Sequence, residues 1–126
     1  MKIEVSVGEV FDKISILEIK QKKIKDEKKL RYVEEELAVL RRLVDGICLP
    51  YEMYFKLLEI NHKIWDTEDI IRDKEKAKEF DEEFIKHARL DAKLNDERFL
   101  IKFEINMYFN STIKEQKSYD DFYTTD

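Results

Sequence analysis

Turn-forming residues and cysteine are nearly missing from this chain: its 126 residues include 2 Gly, 1 Pro and 1 Cys. That scarcity leaves too little turn chemistry for a many-stranded sandwich or barrel. Gly8 and Gly46 have no partners at the spacing of a dinucleotide-binding or P-loop motif, which excludes a glycine-rich phosphate loop. Cys48 alone excludes an internal disulfide framework and a multi-cysteine metal site. No apolar run approaches the roughly 20 residues of a membrane-spanning helix. Glu4, Glu9 and Asp12 fall where a signal peptide would need an apolar stretch, so the expected location is cytoplasmic.

What is present divides almost entirely into core and solvated face, with 43% hydrophobic and 42% charged residues. The length suits one domain. A net charge of −5 argues against nucleic acid as a partner, because phosphate backbones need concentrated positive charge. The run Lys20, Lys22, Lys23, Lys25, Lys28 and Lys29 is the exception. It reads either as solvation of a helix end or as a docking patch for phosphate or anionic lipid. Asp26 and Glu27 interrupt it, which favours solvation.

Apolar periodicity predicts an all-α fold of about four helices. Met1 to Ser6 alternates and reads as a short strand or extended lead-in. Ser6 and Glu9 stand at capping-box spacing, opening a first helix over about Val7 to Lys25 with the stripe Val10, Ile14, Leu17, Gln21, Ile24. Asp26 is a natural N-cap for a second helix carrying Leu30, Val33, Leu37, Leu40 and Val44, stopped by Gly46 and Pro50. A third helix is expected from Tyr51 to as far as Lys78, and a fourth from about Asp81 to Phe109, ended by Asn110 and Ser111. Short connections imply antiparallel neighbours and a bundle. Thr112 to Tyr119 reads as extended, closing a domain over 1–119. The acidic tail 120–126 is expected to be mobile and dispensable unless Phe122 or Tyr123 docks. The longer third and fourth helices, with the aromatic group Tyr51, Tyr54, Phe55 and Trp65, suggest a homodimer.

Polar residues break the apolar stripes in three places. The third helix reads Tyr54, Leu58, Asn61, Trp65, Glu68, Arg72, with Asp69 alongside. The fourth places Asn95, Arg98 and Lys102 before Ile105 and Phe109. The first carries Glu9, Asp12, Lys13 and Glu18 beside its stripe. Glu9, Asp12, Lys13, Asn61, Glu68, Asp69, Arg72, Asn95, Arg98 and Lys102 therefore form a candidate polar layer. Buried charge must be paired or change its protonation, so the layer is either a salt-bridge network or a ligand site. In the second case Arg72, Arg98 and Lys102 would receive an anionic or phosphorylated small molecule.

Specific catalytic arrangements find little support. A di-iron bundle needs Glu-x-x-His on two helices, and only His62 has a Glu, Glu59, three residues before it. The acidic pattern of an all-α nucleotide pyrophosphatase fails at Leu37 to Val39 and at Ile71. Glu68, Asp69, Asp73 and Glu75 could hold Mg²⁺, although a solvated helix face is commoner. Cys48 has no basic neighbour to activate it. No metal, cofactor or catalytic residue is assigned, and the balance leans away from an enzyme.

The stretch from Val5 through Glu9, Asp12 and Lys13 to Lys20, the phrase Asn61-His-Lys-Ile-Trp65-Asp-Thr-Glu68-Asp69-Ile-Ile-Arg72, the phrase Lys102 to Asn106, and Glu115 to Tyr119 together resemble an uncharacterised family of short bacterial and phage proteins. The resemblance covers most of the chain. It implies a domain of unknown function set beside glycosyltransferase and lipopolysaccharide genes, hence a cell-surface glycan context. Two functions follow as expectations. One is a non-enzymatic accessory or interaction protein, with a glycosyltransferase or other protein as partner. The other is a ligand-binding domain or enzyme acting on a phosphorylated sugar or nucleotide sugar.

Overall fold

The computed structural model describes residues 1–118. Helix α1 (Val7–Lys23) starts from Ser6, whose Oγ accepts the Glu9 amide at 3.1 Å. The reciprocal half of the capping box is not made, because Glu9 gives its carboxylate to Lys102. The other two first-turn amides find partners near the far end of the described chain. Gly8 N–H donates to Asn106 Oδ1 at 2.7 Å and Val7 N–H to Ser111 Oγ at 3.3 Å. Ile24 turns extended, ending α1 two residues short of the expected Lys25.

Asp26 caps α2 (Glu27–Leu43) through the Lys29 amide at 3.0 Å, and Gly46 takes a φ of 85° just beyond its end. Helix α3 (Tyr51–Ala77) follows Pro50 and closes on Lys78 in the left-handed conformation. Helix α4 (Glu82–Tyr108) begins at Asp81, which accepts the Phe84 amide at 2.9 Å. That amide, and then Lys74 at 2.9 Å, hold the Asp81 carboxyl below its ordinary range. Asn110 adopts a φ of 50° and Ser111 N–H returns to the Asn106 carbonyl at 2.8 Å, closing the helix end.

The result is an antiparallel all-α bundle with α1 at its hub. Helix α1 packs on each of the other three, α3 and α4 pack along each other, and α2 packs on α1. This is why the narrow stripe expected on α1 broadens: Gly8, Val10, Phe11, Asp12, Ile14, Ser15, Leu17 and Ile19 are all buried. The main core joins Phe11, Ile14, Leu17, Val33, Leu37, Leu57 and Ile105, and a smaller one joins Ile60, Ile64 and Leu94 between α3 and α4. At about 1.5 Å per residue, the 27-residue helices outrun the 17-residue α1 by about 15 Å. The α3–α4 hairpin therefore continues past the last turn of α1.

No strand occurs among the described residues, so the lead-in is irregular rather than a β-strand. No helix among them is long and apolar enough to cross a membrane. Residues 112–118 lack regular structure but are anchored, with Glu115 on Lys102 and Lys117 over the Phe99 ring. The tail 120–126, together with Tyr119, lies outside the described residues.

Candidate functional site

The polar positions sort into a closed network and an open cleft joined by Asn61. Lys102, 7% exposed, centres the network. Its Nζ lies 2.7 Å from Glu9 Oε2, 2.9 Å from Glu115 Oε1 and 4.0 Å from Asp12 Oδ2. Burial alone would lower its pKa, but hydrogen bonds to Glu9 and Glu115 outweigh it and push the ammonium up. The same contact holds the Glu115 carboxyl below its usual value.

Asn61 is buried at the meeting of α1, α3 and α4. Its Nδ2 donates to Asp12 Oδ1 at 2.8 Å and to Ser15 Oγ at 2.7 Å, while Ser15 Oγ donates to the Asp12 carbonyl at 2.7 Å. Its Oδ1 accepts from Arg98 Nη1 at 3.1 Å, and Arg98 Nη2 donates to Asn95 Oδ1 at 2.6 Å. Two of the five guanidinium donors are thereby fixed, which orients the rest of Arg98 toward the cleft it lines.

That cleft has a volume of about 340 Å³ and lies where α1 approaches its last turn while α3 and α4 continue. Ile16, Ile19 and Lys20 line it from α1, Trp65, Glu68, Asp69 and Arg72 from α3, and Arg98 from α4. Its size falls at the lower end of small-molecule sites. Ile16, Ile19, Ile64 and Trp65 supply apolar wall, and Lys20, Arg72 and Arg98 supply positive charge. Arg72 is exposed and 3.7 Å from Glu68, one helical turn away on the same helix.

Glu68 stands apart in its protonation. Desolvation first, then the charge of Asp91, raises its pKa, against the lowering influence of Arg72 and Arg98. Asp91 Oδ1 is buried and receives no N–H or hydroxyl donor. Across the α3–α4 seam the Asp91 and Glu68 carboxyls lie within reach of each other. Two carboxyls can share such a contact only with a proton between them.

Of the ten candidate residues, Glu9, Asp12 and Lys102 meet in the network, and Asn61, Asn95 and Arg98 form the bridge. Glu68, Asp69 and Arg72 line the cleft with Asn61 and Arg98. Lys13 is exposed on α1 and belongs to neither group. Lys102 does not line the cleft, so the expected trio of Arg72, Arg98 and Lys102 is split: Lys20 stands where Lys102 was placed. Arg72 and Glu68 are a surface pair rather than part of a buried network, with 67% and 36% of their side chains exposed. Trp65 lines the cleft, apart from the Tyr51–Phe55 pair at the start of α3.

Sequence reasoning missed Ser15, Asp91, Asn106 and Glu115. The signal for Asn106 was Gly8, a helical glycine whose absent side chain admits a close neighbour. Among the described residues no group of three or more His, Cys, Asp or Glu side chains is placed to hold a metal ion.

The fold and cleft define an all-α, α1-centred bundle with a small polar and aromatic cleft. The chain belongs to the family of unknown function DUF6165, whose model matches residues 1–126. No curated protein and no solved structure matches it.

Proposed function

We propose that this chain is a binding domain for a small anionic molecule bearing a ring, with a phosphorylated or nucleotide-linked sugar as the favoured class. The observation that carries the reading is the cleft itself, where Trp65 and three cations from three helices, Lys20, Arg72 and Arg98, line one volume of about 340 Å³. Arg98, already fixed by Asn61 and Asn95, offers a preorganised fork for a phosphate oxygen. Trp65 offers an aromatic wall for a ring, and Glu68 and Asp69 offer acceptors for hydroxyls. The cell-surface glycan context implied by the sequence resemblance fits such a ligand. Binding without a reaction is the reading we adopt.

A thermal-shift series with sugar phosphates, nucleotide sugars and divalent metals tests it. A ligand at 100 times its Kd should stabilise the fold by about 2.7 kcal/mol. No shift with any of these compounds would contradict the reading.

A second reading is an accessory protein that docks on a glycosyltransferase, another protein or a second copy of itself. It is favoured by a separate groove of about 330 Å³ lined by Phe11, Ile14, Ile47, Leu49 and Tyr54, with Tyr51 exposed at its edge. Light scattering of the purified chain tests the homodimer directly, and a monomer at high concentration would exclude it.

A further inference from the structure

We propose that the Glu68–Asp91 carboxyl pair makes the cleft proton-coupled, so that an oxyanion binds there together with one proton. The proposal rests on the cleft reading above and adds its regulation. Glu68 forms part of the cleft wall and reaches across the α3–α4 seam to Asp91. Asp91 Oδ1 is buried with no N–H or hydroxyl donor, and a proton held between the two carboxyls supplies the donor that the pair lacks.

The charged groups that act on Glu68 are Asp91 from α4, Arg72 from α3 and Arg98 from α4. Lys20 from α1 and Asp69 from α3 line the same cleft. With the proton in place, Lys20, Arg72 and Arg98 face two negative charges, one on Asp69 and one shared by the pair. The site then has net positive charge. When the proton leaves, three cations face three carboxylates and the attraction for an anion disappears. Glu68 also draws Arg72, at 3.7 Å, away from the ligand once it is ionised. An anion seated against Arg72 and Arg98 in turn disfavours ionisation of Glu68. By reciprocity, the ligand raises the midpoint at which Glu68 loses its proton.

Sulfate is the appropriate probe, because it holds its charge across the range in which Glu68 is to be titrated. Trp65 is the chain's one tryptophan, so its fluorescence reports on the cleft. In the wild type, sulfate affinity should be flat below the Glu68 midpoint and fall by up to about tenfold per pH unit above it. Glu68→Gln keeps the shape and both histidines and cannot ionise, so its sulfate affinity should stay flat. Asp91→Asn should move the wild-type midpoint downward by removing the charge that resists ionisation. The Glu68 carboxyl is followed in parallel by carbon NMR, which needs no ligand.

A sulfate affinity independent of pH in the wild type overturns the coupling and leaves the cleft reading standing. A Glu68 carboxyl that titrates as an ordinary glutamate overturns the coupling whatever sulfate does. A Trp65 signal that ignores sulfate at every pH overturns the cleft reading and the coupling with it.

Discussion

Asn106 Oδ1 sits 2.7 Å from the amide nitrogen of Gly8, so that a side chain near the end of α4 caps the first turn of α1 across 98 residues of sequence. The approach is possible only because residue 8 has no side chain. A Cβ there would lie 2.5 Å from the Lys102 carbonyl oxygen and 2.8 Å from Asn106 Oδ1. Gly8→Ala would ordinarily gain about 1 kcal/mol in a helix. Here a backbone atom must move, and overpacking at about 1–3 kcal/mol should exceed that gain. Urea unfolding should therefore show net destabilisation, and a more stable variant would contradict the close packing.

Lys102 should carry a much larger penalty than its charge alone suggests. Lys102→Met leaves Glu9 and the buried Asp12 without their cation and should cost about 3–5 kcal/mol. Adding Glu9→Gln and Asp12→Asn should recover part of that loss. Equal stabilities of the single and triple variants would show that the carboxylates are not charged partners.

The pH dependence of segment 111–117 follows from the same contact. The Glu115 carboxyl lies below its ordinary value in the fold, so its contribution is present above about pH 4.3 and lost as pH falls through the lower folded value. The Lys102 ammonium lies above its ordinary value, so its contribution is present below about pH 10.4 and lost as pH rises through the higher folded value. Side-chain NMR contacts between Glu115 and Lys102 should persist between these limits and disappear on the acid side first as Glu115 protonates.

Glu68 has the opposite sign to Glu115. Its raised pKa favours the protonated carboxyl in the fold, so stability declines as pH rises from the unfolded value through the folded one. Glu68→Gln should therefore be flatter than the wild type over that window when unfolding is measured at several pH values. Identical pH profiles would contradict the contact with Asp91.

Arg72→Gln separates binding from stability. The pair with Glu68 is long and exposed, so its loss should cost under about 1 kcal/mol and leave Tm nearly unchanged. Calorimetric binding of a sugar phosphate should weaken at least tenfold. A drop in Tm without any loss of binding would place Arg72 in the scaffold.

The helices were legible because local chemistry agreed with the packing. Ser6, Asp26 and Asp81 cap the helices they precede, and Gly46 takes the positive φ beyond α2. Apolar spacing also exposed Asn61, Arg98 and Lys102 as polar intrusions. It could not say which neighbour each one faces, since a stripe fixes a face of one helix and not the partner across it. Arg72 continues the α3 stripe in sequence, yet it emerges to solvent at the level where α1 ends. Lys102 sits one turn from Arg98 but turns to Glu9 and Glu115 rather than the cleft. Asp91 and Glu115 carry no periodic signal, because the partner of Asp91 lies on another helix and Glu115 itself lies in an irregular segment.

The most direct measurement is an amide-resolved NMR titration of the full chain with glucose 1-phosphate. Shifts should concentrate at Lys20, Asn61, the Trp65 indole, Glu68 and the Arg98 guanidinium, and should need at least tenfold more ligand in Arg72→Gln. An unchanged spectrum at millimolar ligand, or shifts confined to Ile47, Leu49 and Tyr51, would contradict the cleft as the binding site.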